Sequence, residues 1–102
     1  MDRIEAFKAM ALQDPKNTLA RYGLAMEHVK AGAFDEAIAA FRSVLDVNPN
    51  YAAAYFHGGQ TYEKMGLLDE AKAIYQEGIG VTTRTGDGHT RAELQGALDL
   101  LP

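Results

Sequence analysis

The sequence predicts an all-α fold, a solenoid of about six helices stacked as antiparallel pairs, and three observations carry that prediction. Shifted by 34 residues, the chain matches itself: Gly32 to Phe41 (GAFDEAIAAF) aligns with Gly66 to Tyr75 (GLLDEAKAIY), and Ile4 to Pro15 (IEAFKAMALQDP) with Ile38 to Pro49 (IAAFRSVLDVNP). Within each copy the apolar residues recur at helical spacing. Glycine and proline fall at matching places between the apolar runs. A unit of this length cannot bury its apolar face alone and must stack on a neighbour. Such a stack offers an extended surface and no enclosed pocket, so a binding scaffold is expected.

The elements follow in order. A first helix ends ahead of Pro15, because proline pushes the residue before it out of helical geometry. In the next unit Leu24, Ala25 and His28 share one helical face, and Ala37, Phe41, Val44 and Leu45 share another, with Gly32 between them. The following unit repeats this with Gly59 and Tyr62, then Gly66, then Ala71, Tyr75, Gly78 and Ile79. A glycine closing the first helix of a pair can take the left-handed conformation, and the Asp35-Glu36 and Asp69-Glu70 pairs place negative charge at the positive end of the second. Pro49 separates the two units. After Val81 the period lapses: Thr82, Thr83, Thr85, Gly86 and Gly88 predict an extended turn, and Gly80 predicts a fraying helix end, since interior glycine costs about 1 kcal/mol relative to alanine. Thr90 to Glu93 has capping-box spacing. A last helix should follow, with Leu94, Ala97, Leu98 and Leu101 covering the exposed side of the second unit while Arg91, Glu93, Gln95 and Asp99 face water.

Composition narrows the function. The 102-residue chain is 47% hydrophobic, a globular proportion, and contains no stretch long enough to cross a bilayer. Its net charge is -4, from 14 acidic and 10 basic residues, and the basic ones are scattered. Nucleic acid is therefore not an expected partner, since phosphate binding draws on a concentrated positive footprint. Asp2, Arg3, Glu5 and Lys8 interrupt the opening turns where a secretory signal needs an apolar run. With no cysteine, disulfides and thiolate chemistry are excluded. The expected location is the cytoplasm, away from membranes.

These residues resemble the tetratricopeptide repeats, whose pattern sets a large residue, a leucine, a small residue and an aromatic in the first helix, then alanine, aromatic, small residue and proline across the second. Leu24, Ala25, Gly32, Ala37, Phe41 and Pro49 fit it in one repeat, and Tyr55, Gly59, Tyr62, Gly66, Ala71, Tyr75 and Gly78 in the next. Arg21, His28, Gly58 and Thr83 depart from it, replacing a large aromatic, an aromatic, a leucine and a proline. The resemblance divides the chain into a half repeat (1–17), two repeats (18–51 and 52–85) and a C-terminal capping helix (86–102), and implies a right-handed superhelix. It also implies a concave face formed by the first helices, bearing Leu19, Tyr22, Met26, Val29 and Lys30, then Ala53, Phe56, Gln60, Glu63 and Lys64. Aromatic and methionine surface beside two lysines suits an extended or short helical peptide with apolar side chains and some acidic character. The clamp of lysines and asparagines with which some family members grip acidic chaperone tails is absent, since Tyr22, Met26 and Gln60 stand at its positions. A groove this short implies weak or transient binding.

Two further expectations concern the ends and the histidines. The opening helix lacks the partner that would normally pack against it, leaving Ile4, Phe7 and Ala11 as a possible self-association surface and a homodimer as a possible state. Catalysis finds little support. His28 sits where the pattern wants a packed aromatic, His57 lies near the groove beside Phe56, and His89 follows the Gly86-Asp87-Gly88 turn. No metal-ligand or nucleotide-binding spacing accompanies them, so neither an enzyme, a cofactor nor a metal is expected.

Overall fold

The computed structural model describes residues 2–102. Six helices make up the described chain: α1 (Arg3–Gln13), α2 (Thr18–Lys30), α3 (Phe34–Val47), α4 (Ala52–Lys64), α5 (Leu68–Thr85) and α6 (Gly88–Asp99). Each packs on the next in sequence, and the strongest contact that skips a helix joins α4 to α6. The result is the all-α solenoid of helix pairs expected from the repeat, 40 × 29 × 18 Å in extent.

The turns explain the periodicity. Gly32 and Gly66 have φ of 73° and 75°, left-handed values that suit glycine. They let Ala33 N–H reach back to His28 O at 2.9 Å and Leu67 N–H to Tyr62 O at 2.9 Å, which satisfies carbonyls left open at the ends of α2 and α4. Prolines stop the second helices differently. Asp14 and Asn48, each preceding a proline, are extended at φ -136° and -139°.

Where Thr83 replaces that proline, α5 continues. This corrects the expected extended turn: Thr82, Thr83 and Thr85 are helical, and the chain reverses only at Gly86, with φ 78°. Low intrinsic propensity is overridden by packing, and the hydroxyls are satisfied within the helix. Val81 and Thr82 are buried, while Thr82 Oγ1 donates to Gly78 O at 2.8 Å and Thr83 Oγ1 to Ile79 O at 2.7 Å. The helix also runs five residues past Gly80, to Thr85. Nor is Thr90 the cap of α6. Asp87 takes that place, its carboxylate accepting from Thr90 N–H at 3.1 Å. That backbone bond, the largest influence, holds the Asp87 carboxyl below its ordinary pKa.

The core lies between the helix pairs. Phe41, Val44, Ala37 and Ala40 from α3 meet Ala25 from α2 and Tyr55 and Ala54 from α4, and Ile74, Tyr75 and Ala71 continue it. Close approaches require small residues. A Cβ on Gly78 would lie 2.6 Å from Tyr55 Cβ and 2.9 Å from Leu94 Cδ1, so α6 seats its buried leucine against a bare backbone. Arg21, which departs from the aromatic pattern, serves the same local tether as its counterpart. Arg21 Nε donates to Pro15 O at 2.7 Å, and Tyr55 Oη donates to Pro49 O at 2.7 Å. His28 is buried at its aromatic position, and its Nδ1 has no hydrogen-bond partner.

Candidate functional site, a groove along the first helices

Three first helices, α2, α4 and α6, supply the groove. Between α2 and α4 lies a cavity of about 230 Å³ lined by Met26, Val29, His57, Gln60, Thr61 and Lys64. Between α4 and α6 a shallower hollow is lined by Phe56, Gln60, Glu93, Gly96, Ala97 and Leu100. Gln60 belongs to both and divides them.

His57 lines the first space and Phe56 the second, and their rings belong to one aromatic ladder. Tyr22 contacts Phe41, Tyr51 and His57 with ring centroids 6.1, 5.2 and 6.1 Å apart, and His57 meets Phe56 edge-on at 5.3 Å. Tilted and edge-on pairs favour the electrostatics of aromatic rings. The ladder is part of the packing as well as of the surface. Burial, with Tyr51 adding to it, raises the Tyr22 phenol above its ordinary pKa. Burial, the largest influence, lowers the His57 pKa; Lys64 acts the same way, against the opposing pull of Gln60 and Glu93. At neutral pH the histidine is therefore an uncharged, half-buried ring.

The sequence-selected residues divide by what they touch. Met26, Val29, Gln60 and Lys64 line the first cavity together, and Phe56 faces the second. Tyr22 is half-buried in the aromatic ladder, whereas Leu19 is 69% exposed at the start of α2 and lines neither space. Ala53 is half-buried and lines neither space. Lys30 is drawn to Glu27, with Nζ 3.7 Å from Oε1 on a carboxylate that Arg3 also engages at 3.0 Å. Glu63 accepts a hydrogen bond from the Tyr75 hydroxyl. Together, burial first and then Glu63 strongly raise the Tyr75 pKa. Both charges therefore have partners inside the chain.

Residues that sequence reasoning left out come mostly from α6. Glu93 and Ala97 were assigned to solvent and to packing, and Gly96 and Leu100 received no role; all four face the hollow beside Phe56. The signal was present in the order of the helices: α6 follows α5 as α4 follows α3, so it takes the place of a further first helix. Thr61 was also missed; it is buried, and its hydroxyl donates to His57 O at 2.7 Å.

The other expected site fares differently. Phe7 is not open surface. Its ring lies over Gly23, where a Cβ would sit 2.5 Å from Phe7 Cε1, so the ring rotates inward onto α2. Ile4 and Ala11 are half-buried, and the apolar groups α1 leaves exposed are Met10 at 44% and Leu12 at 83%. His89 is exposed on α6, its Nε2 3.2 Å from Glu93 Oε1.

Comparison with known proteins agrees with this architecture. A family model described as tetratricopeptide repeat matches residues 28–82. A TPR repeat-containing protein of Pseudomonas aeruginosa is 24% identical over 91 residues, which cover 89% of this chain and 87% of that one. Among solved structures, a tetratricopeptide repeat domain protein from Salinibacter ruber is 35% identical with a TM-score of 0.77, over 83% of this chain and 86% of that one. PcrH, solved in complex with the chaperone binding region of PopD, shares the fold at 16% identity, with a TM-score of 0.87 over 94% of this chain and 73% of that one. The helix pairs, their glycine turns and the family match over residues 28–82 lead to one conclusion: the chain belongs to the tetratricopeptide-repeat family.

Proposed function

We propose that the chain is a non-catalytic protein-interaction module that binds a short segment of a partner protein along the groove of α2, α4 and α6. The observation that carries this reading is the cavity lined by Met26, Val29, His57, Gln60, Thr61 and Lys64, where the His57 ring is itself packed against Tyr22 and Phe56. Apolar anchors fill such a cavity while a cation at the rim selects an acidic neighbour. We take 18–51 and 52–85 as the repeats, 1–17 as a half repeat and 86–102 as the cap, with α6 also serving as the third groove helix. PcrH, with a bound chaperone binding region of PopD, shows the fold engaging a protein segment in another chain. His57 is packed edge-on between rings, and His89 is paired with Glu93 at the surface. We assign no cofactor, nucleic acid or membrane, and a cytoplasmic location; no described helix is long and apolar enough to cross a membrane.

Affinity capture from the native lysate tests this, comparing the natural chain with a Met26→Ala/Gln60→Ala/Lys64→Glu variant. These substitutions spare Tyr22, which also holds Phe41 and Tyr51. A protein captured by the natural chain and lost by a variant with unchanged helicity supports the groove. Equal capture by both moves the binding surface elsewhere. A second reading, homo-oligomeric assembly through the solenoid ends, rests on Met10 and Leu12 of α1. Sedimentation equilibrium decides it, since a concentration-independent monomer mass excludes it.

A further inference from the structure

A second open space lies away from the groove. Between the second helices α1 and α3, with α2 beneath, is a cleft of about 360 Å³ that shares no residue with either groove cavity. Ala11, Leu24 and Ala40 give it an apolar interior, Lys8 and Arg21 are its charged groups, and no acidic side chain lines it.

The same place one repeat later is closed. Moving on by 34 residues, Ala11 becomes Leu45, Arg21 becomes Tyr55, Lys8 becomes Arg42 and Ser43 becomes Glu77. Leu45 and Tyr55 are buried there, and Arg42 Nη1 lies 3.4 Å from Glu77 Oε2, an ion pair that spans α3 and α5. Between α1 and α3 a methyl group replaces the leucine, and Arg21, tethered to Pro15 O as Tyr55 is to Pro49 O, replaces the buried ring. Lys8 faces a serine in place of an acid, so no bridge forms. The cleft therefore arises from particular substitutions, not from the repeat itself.

We propose that this cleft docks a short segment of a partner protein that presents a leucine-sized side chain beside an aspartate or glutamate. Its volume is near the lower end of the roughly 300–1,000 Å³ typical of ligand pockets, room for an anchoring side chain. Leu12, 83% exposed at its edge, extends the apolar surface outward, which suits a chain segment over a compact small molecule. Charge complementarity selects the neighbour. On a chain of net charge -4, two cations without an acid in the lining attract a carboxylate at this spot.

The test titrates ¹⁵N-labelled protein with three synthetic amphipathic peptides of equal length, one of leucine and glutamate, one of leucine and lysine, and one of serine and glutamate. The leucine-glutamate peptide alone should shift the amides of Ala11, Leu24 and Ser43. Ala11→Leu, which fills the cleft as Leu45 does, should weaken it by about tenfold or more, and Lys8→Glu several-fold, without a fall in melting temperature. Should Ala11→Leu fail to fold, Ser43→Glu closes the lip with an ion pair to Lys8 and should weaken binding in the same way. Equal binding by the lysine peptide, undiminished binding by the filled or bridged cleft, or peptide-free shifts that grow with protein concentration would each overturn the proposal. Shifts confined to Phe56, Gln60 and Leu100 would also overturn it while supporting the groove of the first helices.

Discussion

The pairs α2–α3 and α4–α5 follow one backbone pattern, yet they fill it with different side chains. In the first, Phe41 packs beside Ala25; in the second, Tyr75 takes the place of Phe41 and its ring occupies the space a Cβ would need on Gly59, the counterpart of Ala25. The added hydroxyl needs a partner and finds Glu63, whose counterpart Val29 is an apolar groove residue. Leu24 with Ala40 likewise becomes Gly58 with Ile74, where Ile74 Cδ1 would lie 2.9 Å from a Cβ on Gly58. Bulk has moved from one helix to its neighbour. The difference teaches that a repeat fixes where helices run, while compensating pairs fix which crevices stay open and which walls become polar.

The largest expected effect sets a repeat core against the lone end helix. Phe41→Ala should destabilise by about 3–5 kcal/mol, as removal of a buried ring from a close-packed core does. Phe7→Ala should cost clearly less, because α1 contains no buried residue. Urea melts of the two variants check this, and equal losses would break the distinction between core and end. Thr83→Pro comes next. Restoring the proline of the first repeat should end α5 early and cost about 3 kcal/mol, seen as reduced helical ellipticity and a lower melting temperature. Unchanged ellipticity would show that something other than the missing proline extends α5.

Gly59→Ala sharpens the contrast between the two ring pockets. Alanine is already native at the counterpart position Ala25, yet beside Tyr75 it should cost about 1–3 kcal/mol by overpacking. A Gly59→Ala/Tyr75→Phe double variant tests whether the hydroxyl anchoring to Glu63 prevents the ring from yielding. Gly80→Ala goes the other way. Gly80 is helical, exposed and without a neighbour within 4 Å of a new Cβ, so a gain of about 0.4–1 kcal/mol is expected on thermal unfolding.

The smallest effect concerns pH. His57 has a native pKa below its unfolded value, so the unfolded chain binds more protons in the window between them. Its contribution to stability is present above the ordinary imidazole value near 6.5 and falls away as pH drops through the lowered native value. His57→Gln should flatten the stability curve below about pH 6.5, the ordinary imidazole value. The counterpart of His57 is Gly23, so this titration belongs to the second unit alone.

Much of this was legible in the residues. The 34-residue repeat, the glycines at 32 and 66 and the prolines at 15 and 49 mark helix pairs and their reversals, because those residue types act through their own backbone limits. The apolar run of Leu94, Ala97, Leu98 and Leu101 likewise predicted a covering helix, and Leu94 is fully buried. The threonines after Val81 misled, since propensity is a local quantity and Thr82 is held by burial.

The candidate site was less legible. The family resemblance assigned Met26, Phe56, Gln60 and Lys64 to one face, and they line two adjoining hollows. It does not say whom a side chain meets, so Glu63 looked like a groove charge until Tyr75 was seen to claim it, and Lys30 until Glu27 did. Sequence alone determined the helices, their pairing and the family, because backbone stereochemistry and apolar spacing are written residue by residue. Tertiary structure alone decided that Phe7 turns inward, that α6 lines the groove and that the cleft beside Ala11 stays open, because each depends on the volumes of side chains brought together from distant parts of the chain.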